Sequence, residues 1–403
     1  MLRSLYSGIS GLRSHQTMLD VTGNNIANVN TTGFKGSSTQ FQDTLSQMTQ
    51  GAGAPQAQVG GTNPAQIGLG VQVAGITTNF AQGSAQATGR STDMMISGDG
   101  FFVTSLGGET LYTRAGSFDF DSQGRLVSPD GAIVQGWNAA GGVVNTGGAV
   151  GGITLPLQAI APAAATTGAT MGGNLPGDAV TGTQLVRDVE VFDASGASRT
   201  MTLTFTRTAN PGEWTVNASD GATPPVVVNS TVTFDAAGAL TQVGGVPVTP
   251  GAGVTAGAIA VDLSTLSGFA GMTTVSFTSQ DGRTAGSLES FTLSKDGTII
   301  GSFSNGASEA VGRIALATFV NPVGLEKAGS SAYRATFNSG AAQIGTPGSA
   351  GMGSLLTGAL EMSNVDLSQE FTNLIVAQRG FQANARIITT SDEVLQELTN
   401  LKR

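Results

Sequence analysis

The two ends of this chain restrict its possible folds more than anything between them. From Leu2 onward, Leu2, Leu5, Ile9, Leu12, Leu19 and Ile26 follow alternating steps of three and four, with Gln16 and Gly23 in the two remaining places. Leu367, Phe371, Leu374, Phe381, Ala385, Ile388 and Leu395 repeat that stepping near the other end, with Gln378, Asp392 and Thr399 as its polar places. A second stripe of Ile387, Val394, Leu398 and Leu401 runs beside it. Such spacing predicts a helix at each end with a coiled-coil seam along it. Forty residues of helix measure roughly 60 Å, too long a rod to bury its stripe inside a compact domain of its own. Those seam residues are therefore candidate assembly surface.

Almost everything between the ends reads as strand. One shape recurs, a strand, then Asp-x-x-Gly or Asp-Gly, then another strand, in SFDFDSQGRLVS, VEVFDASGASRTMTLTF, TVTFDAAGALTQV and FTLSKDGTIIGSF. Gly and Asp accept turn conformations that β-branched residues resist, so these are hairpin signals. The expected fold is mainly β with helical termini: a nested chain whose terminal helices form one coiled-coil-like domain, with two antiparallel β domains, barrel or sandwich, inserted between them. Expected divisions are 1–35 with 356–403 for the helical polymerisation domain, 36–70 for a connector, 71–144 with 286–355 for an inner β domain, and 145–285 for an outer one. The connector includes MTQGAGAPQAQVGGTNPAQ, whose Gly, Ala, Gln and Pro content predicts weak order.

Composition removes several functions. The balance of 18 Lys+Arg against 27 Asp+Glu leaves no large basic surface for phosphates, which argues against a nucleic-acid partner. Charged residues make up only 11% of the 403 positions while glycines number 59, giving a neutral, small-residued surface suited to contact with other protein. With no cysteine, neither disulfides nor thiolate metal sites are available. No run of about 18 apolar residues suits a membrane span, and Ser, Gly and Arg interrupt MLRSLYSGISGLRSH too often for a secretory signal.

Catalytic chemistry finds no constellation. His15 is the only histidine and falls beside the predicted seam, which suits a helix-surface residue better than a base. None of the lysines follows a glycine, excluding a Walker loop. Asp119, Asp121, Gln123, Gly124 and Asp130 partly imitate a calcium loop, but Gln at the fifth place, Asp at the last and flanking strands favour a plain hairpin turn. Trp137 and Trp214 suit core or domain-boundary positions. The expectation is a non-enzymatic protein without cofactor or metal.

One stretch is distinctive. TGNNIANVNTTGFKG, 22–36, follows the first helix directly, and Asn24, Asn25, Asn28 and Asn30 are able to bond both backbone and side chains, stopping the helix and pairing with a neighbour. Together with Gly33, Phe34 and Lys35 these asparagines resemble the signature of the axial proteins of the bacterial flagellum, the rod, hook and hook-associated subunits. The segment 359–401 is similar to the C-terminal helix of that family, and GDGFFV (98–103) and YTRAGSFDFDSQGRLVSPDGAIVQGW (112–137) are similar to its inner β domain. The insertion of about 140 residues resembles the hook class, with the distal-rod class as the alternative and a β-rich surface adhesin as a reading of another kind.

The resemblance implies a homopolymer forming a curved, flexible tube that acts as a universal joint from rod to filament. It implies export by the flagellar type III apparatus without signal cleavage, and an extracellular place in the hook and basal body. Implied partners are the distal rod protein, the hook cap protein and the first hook–filament junction protein.

Overall fold

The computed structural model describes the chain except for residues 1, 57–59, 156–159, 250, 350 and 401–403. Two helices, α1 (Leu2–Ala27) and α2 (Leu367–Asn400), bracket a long succession of strands. The chain divides into two compact units, the first comprising 1–156, 292–300 and 309–403, the second 157–291 and 301–308.

In the first unit, α1 and α2 run antiparallel. The same unit holds an antiparallel sheet in which Phe101–Leu106 pairs with Glu109–Thr113 and with Ile133–Ala140, while Glu109–Thr113 pairs onward with Ala332–Arg334. Phe101, Val103, Tyr112, Trp137, Phe319 and Tyr333 form its core, with Phe80 set edge-on against Phe101 and Tyr333. Edge-to-face rings of this kind add to the burial of large apolar area. Trp137 is a core residue whose Nε1 donates to the Gly148 carbonyl at 2.9 Å.

The stretch expected to be weakly ordered is paired at its two ends, while 51–64 between them holds the isolated Gly53–Thr62 bridge and no strand among its described residues, 57–59 lying outside those. Ser37–Asp43 pairs with Val71–Thr78, and Ser46–Gln50 with Ala65–Gly68, a long hairpin carrying exposed Leu45, Met48 and Ile67.

The second unit holds a six-stranded antiparallel meander running from Gln184–Phe192 to Val246–Pro247, and a four-stranded sheet. Both supply side chains to one core containing Met171, Leu175, Met201, Phe205, Trp214, Val216 and Leu263. The barrel alternative is corrected here, because the sheets stay open. At one edge Arg187, Asp188 and Glu190 line the strand, and at the other Pro247 lacks an amide donor; both features stop further pairing. One pair departs from the antiparallel expectation, Gly168–Asn174 running parallel to Ile259–Ser267.

The Asp-x-x-Gly repeats fold as one device. In Asp121–Gly124, Asp193–Gly196 and Asp235–Gly238 the aspartate Oδ1 accepts the amides two and four residues on, at 2.8–2.9 Å. The glycine of each turn adopts φ of +75°, +83° and +81°. Asp121 also pairs with Arg125 at 2.7 Å, so the calcium-like pattern is a hairpin turn with its carboxylate engaged by local donors.

Candidate functional site: the helix pair and its clasp

The face that joins α1 to α2 is made of small residues. A Cβ on Gly8 would touch Ile388, one on Gly11 would lie 2.7 Å from the Asn384 amide oxygen, and one on Gly380 would lie 2.5 Å from the His15 ring. Gly8, Gly11, Ser14, Thr22 and Asn25 are buried along α1, and Ala377 along α2. The predicted leucine stripe is turned roughly 100° from this line, the angle of one residue in a helix. Leu5, Ile9, Leu12, Leu19 and Ile26 are accordingly half-buried on its flank, as are Leu374, Phe381, Ile388 and Leu395 of α2. Phe371 is 52% exposed, and Leu367, Ile375, Val376, Ile387, Val394 and Tyr6 are exposed as well. The side chains of Leu2 and Leu398, and Leu401 as a whole, lie outside the described residues. His15 is half-buried, its ring packed over Gly380 and edge-on to Phe41.

Beyond α1 the Asn-rich turn divides its labour. Asn28 closes the helix, its backbone and side-chain amides both reaching the Asn24 carbonyl, while Thr31 donates to the Asn28 side chain at 3.1 Å. Asn25 is buried and spans outward: its Nδ2 donates to the Ser37 carbonyl at 2.7 Å and to Glu370 of α2 at 3.1 Å, and its Oδ1 accepts the Ser37 amide. Asn30 is exposed. Gly33 has φ +66° and would place a Cβ 2.4 Å from the Ala115 nitrogen, so no other residue fits this turn. Phe34 carries the Lys327 ammonium 5.4 Å above its ring.

Lys35 and Glu361 are each 0% exposed and meet at 2.6 Å. The Lys35 ammonium also donates to the Ala81 carbonyl at 2.7 Å, and Glu361 takes Arg114 at 3.4 Å and the Gly83 amide at 2.9 Å. The Glu361 carbonyl accepts the Gly33 amide at 2.8 Å, and Asn364 bridges the Gly36 amide to the carbonyls of Asn79 and Ala81. Burial pulls the Lys35 ammonium below its ordinary range against the opposing pull of Glu361, and burial likewise lowers Arg114. The exit of α1 and the approach to α2 are thereby fastened together.

Sequence reasoning found Asn24, Asn25, Asn28, Asn30, Gly33, Phe34 and Lys35 but missed Glu361, Arg114, Asn364, Gly380 and Asn384. The Gly8-x-x-Gly11 spacing was a readable sign of close helix approach. Nothing local marks Glu361, which lies 326 residues from Lys35. Among the described residues no group of three or more acidic or histidine side chains is placed to hold a metal.

Four family models match in chain order. They are "Flagella basal body rod protein" over 5–35, "Flagellar hook protein FlgE/F/G D1 domain" over 95–170, "Flagellar basal body protein FlaE D2 domain" over 164–283, and "Flagellar basal body rod FlgEFG protein C-terminal" over 356–401. The flagellar hook protein FlgE of Borreliella burgdorferi is 40% identical across 100% of both chains. That of Salmonella typhimurium is 37% identical across 99% of this chain and 100% of its own. The flagellar basal-body rod protein FlgG of Bacillus subtilis is 35% identical across 100% of both, so length alone does not separate hook from rod. These relatives are structural components of the flagellum, not enzymes, and the chain belongs to the FlgE family of flagellar hook subunits.

Proposed function

We propose that copies of this chain polymerise through the apolar faces that the α1–α2 pair leaves uncovered. Phe371, Ile375, Val376, Ile387, Val394 and Tyr6 are the observation that carries this reading, being large apolar side chains exposed on a helix pair whose joining face is glycine, serine and asparagine. Burial stabilises by about 25 cal/mol for each Å2 of apolar surface, so covering these faces with sister helices drives assembly. Leu5, Ile9, Leu12, Leu19, Ile26, Leu374, Phe381, Ile388 and Leu395, half-buried beside them, widen the same surface. Residues 1–35 with 356–403 form the inner tube, 71–144 with 286–355 the layer around it, and 145–285 the outer layer, with 36–70 between tube and layer.

The resulting curved tube bends while it turns, carrying torque from rod to filament. Its weakly charged outer surfaces suit repeated sliding better than fixed ion pairs do. Contacts with the distal rod protein, the hook cap protein, the first hook–filament junction protein and the flagellar type III export apparatus, and an extracellular position, belong to this reading. Electron microscopy of the purified protein with and without 1–35 tests it. Tubes are expected only from the full chain, and tubes from the truncated chain overturn it. A distal-rod role is the second reading, favoured by the end-to-end match to the Bacillus subtilis rod protein.

A further inference from the structure

Each helix carries a line of charge on the side away from its partner. Arg13 lies two residues from Gly11, Asp20 two from Thr22 and Arg386 two from Asn384, all three of those neighbours belonging to the joining face. Two residues turn a helix by about 200°, so the charged side chains point outward. All three are exposed, as is Glu393, seven residues on from Arg386 and therefore on the same side. None of the four has an ion-pair partner among the described residues, and none has an opposite charge three or four places along its own helix. Glu393 has Glu397 four places on instead, a like-charge neighbour that weakens a helix.

The two lines complement each other. Toward the C-terminus each runs arginine then acid at a spacing of seven, Arg13 to Asp20 on α1 and Arg386 to Glu393 on α2. Laid antiparallel, they set Arg13 against Glu393 and Asp20 against Arg386 in one register, with residue numbers adding to 406. Within a copy the facing pairs, Gly8 with Ile388, Gly11 with Asn384, His15 with Gly380 and Asn25 with Glu370, have numbers adding to 395 or 396, and the charged lines lie on the far sides. The match is therefore available only between copies. An antiparallel contact of the α1 line with itself would also pair the charges, but a face that meets itself closes a dimer. Copies joined head-to-tail in an open helical polymer all point one way along its axis, so the antiparallel neighbour of α1 is always an α2.

We propose that the outer face of α1 in one copy lies against the outer face of α2 in the next, pairing Arg13 with Glu393 and Asp20 with Arg386, so that α1 and α2 alternate along a continuous wall of helices. Small residues close the contact inside a copy and charges set the contact between copies. The two registers differ by ten or eleven residues, which shifts neighbouring copies by roughly 16 Å along the helices. Exposed ion pairs add little affinity, and their part here is to select the register and reject others. Apolar area comes from exposed Tyr6, seven residues before Arg13 on the same line, and from the half-buried flanks. The inference deepens the polymer reading and rests on it.

Two charge-swapped full-length chains test it, one carrying Arg13→Glu with Asp20→Arg and the other Arg386→Glu with Glu393→Arg. Each alone is expected to assemble tenfold or more slowly than wild type, with the circular dichroism of the monomer unchanged. An equal mixture is expected to recover most of the wild-type rate, because each swapped face then finds its match on the other chain. Electron cryomicroscopy of wild-type tubes, which needs no variant to fold, is expected to show α1 and α2 of adjacent copies side by side with Arg13 at Glu393. Wild-type assembly by either swapped chain alone, as the self-paired α1 contact would allow, overturns the alternating wall and leaves the polymer reading intact. So does a mixture of folded chains that fails to recover, or a different neighbour for Arg13 in the tubes. No wild-type polymer overturns both.

Discussion

Glu361 gathers more of the fold than any other residue described. Its carboxylate meets Lys35, Arg114 and the Gly83 amide, and its carbonyl takes the Gly33 amide. Removing one member of a buried ion pair leaves an uncompensated charge and costs about 3–5 kcal/mol. Glu361→Ala is therefore expected to destabilise the first unit by about that amount in urea unfolding, and a loss below about 1 kcal/mol would mean the cluster is solvated. Tyr333 gives an alkaline test in the same core. Burial raises its phenol from 10.0 to about 12, so from pH 10 upward the unfolded chain ionises before the folded one does. Stability should fall between pH 10 and 12, and Tyr333→Phe should flatten that fall; equal slopes in both proteins would remove Tyr333 as its cause.

The asparagine motif was legible because amide side chains at a helix end have few other uses, and Gly33 because a turn there needs positive φ. Glu361 was not legible, since a single acid in ALEMSNVD carries no periodicity and its partner is fixed only by tertiary folding.

At the scale of elements, helix existence followed from spacing but helix facing did not. A leucine stripe marks apolar surface without saying whether its own partner helix or a neighbour covers it. Here small residues take the internal contact and the leucines fall to the flank. Gly380→Leu is expected to force the His15 ring aside and part the helices, lowering helical signal in circular dichroism while the β units persist; an unchanged spectrum with unchanged assembly would count against that packing. The repeated turns were read correctly because Asp and Gly each have a specific task in them. Asp193 is held below the ordinary carboxylate range by the Ser195 hydroxyl and the Ala197 amide. Its contribution is present above the unfolded carboxylate range and is lost as pH falls through the lowered folded value. Asp193→Ala should therefore shrink the acid sensitivity of the second unit, measured by thermal unfolding from pH 5 to pH 2. In the connector, composition pointed to the Gly- and Pro-rich centre at 51–64, where no strand forms among the described residues, but gave no sign that its flanks, Ser46–Gln50 and Ala65–Gly68, pair with each other.

At the scale of the whole molecule, the hairpin at 46–68 projects exposed Leu45, Met48 and Ile67 from the unit that contains the helices. Trimming 50–63 is expected to change the bending stiffness of assembled tubes more than their formation, measured from curvature fluctuations in electron micrographs. Complete loss of polymer from a correctly folded monomer would contradict this division. The clasp also determines where mechanical load travels. Because Lys35 and Glu361 close a loop of 326 residues, tension applied to either helix passes to the other through this clasp as well as along the packed helix face. The intervening sandwich then hangs outside the strained circuit, free to be enlarged, pared down or exchanged without slackening the line that bears the pull.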